Sequence, residues 1–417
     1  MCIRDRSNRY TSHLNARAYM DSCAEDAILF TIGDNDTFPL WYMQEVENHR
    51  TDIKLINTSL FQTDWYIDQM KRKTYEADPI PSQLTHDKYK WGTLDAAYYF
   101  EDLFPQLKDS VVDLSDFMRW VESENDVTYF DLDDDGIPEK VLPSNKIRVP
   151  VDKESVLRNG IVAEKDAHLI VPYIDITFDG HLIKNRILML DILANNNWEK
   201  PIYFTGGAQA DEEYIWMKDY LQLDAMTYKL VPIYTPNSGN FFEMGRINTD
   251  IMYENIKNWD WRNITDDDIY LDPETRKNSV SYRNNMERLA RELMKEDQTE
   301  KAVEILDLAM EKMPVKKFDH ISMVIGFAEL YYQLNATEQA RQVTADLIVE
   351  IQQFLTYYGQ YDAYSIEAVF TEIERNVLMY NELVETAIAY DDEDYSNDLK
   401  EKYVAHLKLF DFLMSEE

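Results

Sequence analysis

Cysteine is nearly missing from this chain. Cys2 and Cys23 are the two among 417 residues, which excludes a disulfide framework and any CxxC metal or redox motif. Glycine is scarce, with 11 residues, and none forms a phosphate-cradling or dinucleotide-binding pattern. The seven histidines (13, 49, 86, 168, 181, 320 and 406) are scattered without an HExxH, and no GxSxG nucleophile elbow occurs. No run reaches the roughly 18 to 20 apolar residues that a membrane helix needs, and the start lacks the charged, apolar and small-residue order of a signal peptide. Positive charge is outnumbered: 42 Lys and Arg face 78 Asp and Glu, a formal charge of −36. Phosphate backbones and anionic lipid surfaces are therefore repelled over most of the surface, and nucleic acid is excluded as a partner. Such acidity gives a well-solvated surface and by itself names no ligand. Core material, in contrast, is plentiful: 45% hydrophobic residues, with 28 Tyr, 17 Phe and 8 Trp, supply cores for two or three domains.

The first six residues, Met1-Cys2-Ile3-Arg4-Asp5-Arg6, read as the translation of an adapter used in preparing sequencing libraries. Residues 1–6 are therefore expected to be a scar, with the natural protein beginning upstream. Beyond a short amphipathic stretch, Ala27 to Ile32 is a continuous apolar run ending at Gly33, the pattern of a buried parallel strand. Asp34-Asn35-Asp36-Thr37 are helix-capping types, and Phe38 to Glu47 follows with a proline just inside the start. Ile53 to Ile56 predicts a second strand, and Thr63-Asp64 caps a helix from Trp65. The order β-α-β-α calls for a Rossmann-like parallel sheet with right-handed crossovers. It resumes with a one-face apolar helix over Lys184 to Asn196, a strand at Ile202 to Thr205, a helix over Asp211 to Leu221, and a strand at Tyr228 to Tyr234. The last is expected at an edge, because Pro232 cannot donate to a ladder. Between these halves, residues of about 75–180 are proline-broken with short alternating strands, a mixed, partly β insertion.

From about Ser279 glycine and proline almost vanish. Met286, Leu289, Ala290, Leu293, Ala302, Leu306, Ala309 and Pro314 match the large and small positions of a 34-residue tetratricopeptide repeat. Val324, Phe327, Ala328, Tyr331 and Ala340 give a looser second copy; a plain helical bundle is the competing reading. The predicted architecture is an α/β domain over 7–270 with the insertion, then an all-α tetratricopeptide-like domain over 279–417.

Two constellations carry candidate chemistry. Asp34, Asn35, Asp36 and Thr37 sit where an open α/β sheet places its ligand, at a strand end and a helix N-terminus. Asn57, Thr63, Asp64 and Thr205 are expected on the same edge, so these polar groups are candidates to hold a hydrated cation or sugar hydroxyls; simple capping is the alternative. Asp131, Asp133 and Asp135, followed by Gly136, match the first half of a calcium loop. The closing acid is missing, because Leu142 stands where a bidentate Glu belongs, so calcium competes with a solvated acidic turn. No catalytic residue is nominated.

Ala24 to Met70, and above all GDNDTFPLWY at Gly33 to Tyr42, resembles a bacterial family of polytopic membrane proteins, domain of unknown function 2723, itself similar to protein O-mannosyltransferases of the lipid-linked-sugar type. Leu190 to Gly207 (LDILANNNWEKPIYFTGG) and LVPI at Leu230 extend the resemblance over most of residues 9–235. It implies a membrane region upstream that carries the transferase site and its catalytic acid, and a soluble region after it, facing the periplasm of a bacterial inner-membrane protein. The present chain is expected to be that region, non-catalytic, recognising or positioning an acceptor protein or glycan, with the upstream membrane region as a further partner. Two other readings stand beside it. One is a self-contained carbohydrate-active or metal-dependent enzyme built on Asp34, Asn35 and Asp36; the other is a purely structural interaction protein.

Overall fold

The computed structural model describes residues 9–107, 110–132, 134, 136–205, 215–236 and 239–410. The adapter-like hexapeptide therefore lies outside the described residues. The chain forms two compact units, Ser12–Asp260 and Trp261 onward together with the residues up to Thr11.

The first unit is α/β. Helix α1 (Thr11–Asp21) leads into strand β1 (Ile28–Thr31), helix α2 (Gly33–Glu45), strand β2 (Lys54–Asn57) and helix α3 (Asp64–Met70). Helix α4 (Lys184–Asn196) then precedes β3 (Ile202–Thr205), β4 (Leu221–Leu223), β5 (Thr227–Leu230) and β6 (Arg246–Ile247). These strands make one sheet in the order β6-β4-β5-β3-β1-β2. Its centre is parallel, with Leu29 opposite Tyr203 on one side and Leu55 on the other. Every residue of β1, β2, β3 and β5 is buried, as the unbroken apolar run Ala27 to Ile32 requires of a strand covered on both faces. Leu29 points to a cluster with Ala16 and Met20 of α1 and Leu40 and Met43 of α2. Phe30 points the other way, stacked on Phe204 at 5.5 Å between ring centroids and 6.4 Å from Phe61. Each such side chain contributes about 1.5–3 kcal/mol by leaving water.

Four local expectations are revised. Helix α2 starts at Gly33, not Phe38, with Ile32 as its N-cap and no side-chain cap bond, so Pro39 lies inside it. The strand over Thr227–Leu230 is interior, pairing antiparallel with both β3 and β4; Pro232 lies beyond the ladder, where its missing N–H costs nothing. Of the expected helix at Asp211 to Leu221, residues 211–214 lie outside the described residues, Ile215–Tyr220 is a 3-10 turn and Leu221 begins a strand. Helix α4 is buried almost all round, including Lys184, Asn185 and Asp191, whereas an amphipathic reading requires one wet face.

The insertion is mixed, as its prolines and short alternations predict. It holds a four-stranded sheet through Ala96–Tyr98, Tyr129–Phe130, Glu139–Val141 and His181–Ile183, and a three-stranded sheet through Val112–Asp113, Lys146–Pro150 and Tyr173–Thr177. Loop clasps fasten this unit. Arg50 donates to the carbonyls of Met20, Cys23 and Ala24 and forks onto Asp52 at 2.9 Å. Asp191 accepts from Ser82 Oγ and from the backbone N–H of Gln83 and Leu84. Cys23 is buried with its thiol 3.7 Å from Thr227 Oγ1, and burial pushes that thiol up to about 12.

The second unit is all helical. Asp272 caps helix α5 (Pro273–Lys295), accepting from the Thr275 N–H at 3.0 Å, with Pro273 at the first helical position. Helices α6 (Thr299–Lys312), α7 (Ile325–Gln333), α8 (Thr337–Tyr358), α9 (Phe370–Tyr390) and α10 (Glu393–Leu407) follow, so α5/α6, α7/α8 and α9/α10 form successive hairpins. Met286, Leu289, Ala290, Leu293, Ala302, Leu306 and Ala309 are all buried, which is why the repeat spacing was visible. Arg341 of α8 forks onto Asp391, which also accepts from Tyr332 Oη at 2.5 Å. The guanidinium holds the Asp391 carboxyl down at about 2.

Candidate functional site

The strand-end edge of the α/β unit gathers some of the expected residues. Gly33 leaves β1 at φ +72, a left-handed conformation that a residue without Cβ adopts at little cost, and this turns the chain straight into α2. The tight turn aims Thr37 inward. Its hydroxyl donates to the Gly33 carbonyl at 2.6 Å, accepts from Asn57 Nδ2 at 2.8 Å and lies 2.7 Å from Thr31 Oγ1. A hydroxyl has one proton, and Thr37 spends it on Gly33, so Thr31 is the donor in the third bond. Asn57 is complete as well, its Oδ1 accepting from the Leu60 N–H at 2.9 Å. Thr205, at the end of β3, donates to Asp36 Oδ2 at 2.8 Å. Thus Asp36, Thr37, Asn57 and Thr205 come together and bind one another.

Asp34 and Asn35 point to solvent on the first turn of α2. Thr63 and Asp64 serve the next helix instead: Thr63 donates to the Leu60 carbonyl at 2.7 Å, and Asp64 accepts from the N–H of Trp65 at 2.7 Å and of Trp91 at 3.3 Å. Among the described residues no three His, Cys, Asp or Glu side chains converge as metal ligands. In the acidic loop, Asp133 and Asp135 lie outside the described residues. Asp131 accepts from the Gly136 N–H at 3.0 Å, and Glu139 accepts from the Leu132 N–H at 3.0 Å, both of which tie the loop to itself.

Three perturbed ionisable groups near the centre of the sheet sit in packing. Tyr203 donates to the buried Asp224 at 2.9 Å, and burial pushes both upward. Burial also lowers the Lys229 ammonium, whose Nζ donates to the Gly160 carbonyl at 3.0 Å.

A different arrangement occurs in the helical unit, where sequence reasoning nominated nothing. A cavity of about 600 Å³ lies where the start of α5, the segment 315–322, α8 and α9 meet. Its floor includes Val315, Phe354 and Met379, and its rim carries Arg276, Lys316 and Arg375. Arg283 builds the rim from behind. It is fully buried and donates to the carbonyls of Asp319 at 2.5 Å, Met313 at 2.6 Å and His320 at 3.4 Å. These bonds hold Asp319 at φ +58 and His320 at φ +48, conformations that cost non-glycine residues of order 1–3 kcal/mol each. Burial brings the Arg283 guanidinium down to about 10. No motif signals this groove, because its residues come from separate helices and each reads as ordinary surface charge.

Among the described residues no helix is long and apolar enough to cross a membrane. Searches of the curated proteins and of the solved structures gave no match. A family model, TMEM260-associated domain 2, matches residues 12–251, a span that takes in the sheet, the GDNDTFPLWY turn and the insertion. Since that is more than half of the chain, the protein belongs to the TMEM260-associated domain 2 family.

Proposed function

We propose that this chain is the non-catalytic soluble region of a membrane glycosyltransferase-like protein and that it recognises or positions an acceptor protein or glycan. The observation that carries this reading is the family match over residues 12–251, because TMEM260 is a protein O-mannosyltransferase. The edge geometry supports it: Asp36, Thr37, Asn57 and Thr205 spend hydrogen bonds on one another, whereas a glycosidase presents two carboxyls flanking a scissile bond. On this reading the transferase chemistry resides in an upstream membrane region of the domain of unknown function 2723 type, the present chain faces the periplasm of a bacterial inner-membrane protein, and no cofactor is needed, calcium at Asp131 remaining the one metal to assay.

The test is the genomic sequence upstream of the Ser7 codon. Several membrane-spanning segments in the continued frame are the expected result. A native start or a cleaved signal directly upstream overturns the reading and transfers attention to Asp34, Asn35 and Asp36 as the centre of an independent carbohydrate-active enzyme.

A further inference from the structure

We propose that the groove of the helical unit binds an acidic, extended polypeptide segment. The charge balance carries the argument. The chain as a whole has 78 acidic against 42 basic side chains, yet the groove is lined by Arg276, Lys316 and Arg375 against Asp319 and Glu350, with His320 beside them. A local reversal on so acidic a protein focuses attraction for anions into one concavity and repels them elsewhere.

Two of the three cations are also unspent. Arg276 uses Nε on the Leu271 carbonyl at 2.9 Å, and among the described residues neither Lys316 nor Arg375 is engaged in an ion pair, although surface cations elsewhere in this unit are, such as Lys295 with Glu292 and Lys402 with Asp398. Guanidinium groups recognise carboxylates through paired N–H donors, the usual mode for acidic motifs. The floor decides between classes of anion. Val315, Phe354 and Met379 offer apolar contact to side-chain stems, and the exposed Gln353 offers an amide to a peptide backbone; an inorganic anion uses neither. The strained loop at Asp319 and His320, pinned by Arg283, keeps this rim preformed, so binding need not order it.

This inference names a partner class for the recognition role proposed above and rests on that reading for its biological setting alone, so calorimetry on the whole chain fails or succeeds independently of the upstream genomic sequence. The probes are a short glutamate-rich peptide and its glutamine counterpart. The glutamate peptide is expected to bind at least about tenfold tighter, and Lys316→Glu with Arg375→Glu to remove about tenfold or more of that affinity. The charge-matched control, Lys295→Glu with Lys402→Glu, retains most of it although it melts slightly lower, because each reversal turns a helical ion pair into a repulsion; the groove double melts at the wild-type temperature. Equal binding of the two peptides, equal loss in both doubles, or no binding of either peptide overturns the proposal. So does preferential binding of a polygalacturonate oligosaccharide, which would make the groove a site for acidic glycans.

Discussion

The strand-end edge and the helical groove use polar side chains to opposite ends. At the edge, Thr37 has its proton on Gly33 and its lone pairs occupied by Asn57 and Thr31, so polar convergence makes a closed knot. In the groove, Arg283 takes the structural burden on three carbonyls and leaves Lys316 and Arg375 uncommitted. The two regions teach that a cluster of polar residues signals a binding surface according to what remains unspent after the fold has taken its share. Buried polar groups must be satisfied within the protein, and a site exists where another element does that work.

Substitutions can break this contrast. The largest expected effect is at Arg283: replacement by Met removes the donors of three carbonyls and should cost about 2–4 kcal/mol in denaturant unfolding, together with the affinity of the groove. Stability unchanged from wild type would show that the rim does not depend on it. Thr37→Val opens the knot at the other region, taking the hydroxyl partner from Thr31 Oγ1 and leaving Asn57 Nδ2 with its 3.5 Å bond to the Gly33 carbonyl alone. About 1–3 kcal/mol should be lost in the same measurement, with peptide binding in the groove intact.

Acid sharpens the comparison from the helical side. Arg341 depresses the Asp391 carboxyl to about 2, below its ordinary 3.8. The stability this pair supplies is therefore complete above about pH 4 and is lost as pH falls toward 2. Asp391→Asn should abolish that pH dependence, read as the difference in denaturation midpoint between pH 5 and pH 2. Smallest of all, Asp34→Asn should shift stability by less than about 0.5 kcal/mol. A saccharide that raises the melting temperature of the wild type but not of this variant would turn the edge into a binding site.

Much of the fold was legible because its signals are local. Ala27 to Ile32 announces a strand by being apolar without interruption, and Leu289, Ala290 and Leu293 announce a helix by spacing. The start of α2 was misread because Asp34 to Thr37 are good caps in isolation; Thr37 is claimed by Asn57, twenty positions away, and sequence spacing does not display that bond. The burial of α4 has the same cause, since Asp191 is polar on paper and satisfied by Ser82 and Leu84 in space. The tetratricopeptide-like spacing implies a concave helical surface, but the residues that line the groove were illegible, as Arg276, Lys316 and Arg375 are brought together by helix packing alone.

Cys23 makes the α/β unit report on itself. Its thiol is walled in beside Thr227 and pushed up to about 12, and thiolate is the form that alkylating reagents attack. Carbamidomethylation at that position therefore waits for the sheet to separate from α1, and mass spectrometry of the peptide carrying Cys23 times that separation as a clock that needs no engineered reporter.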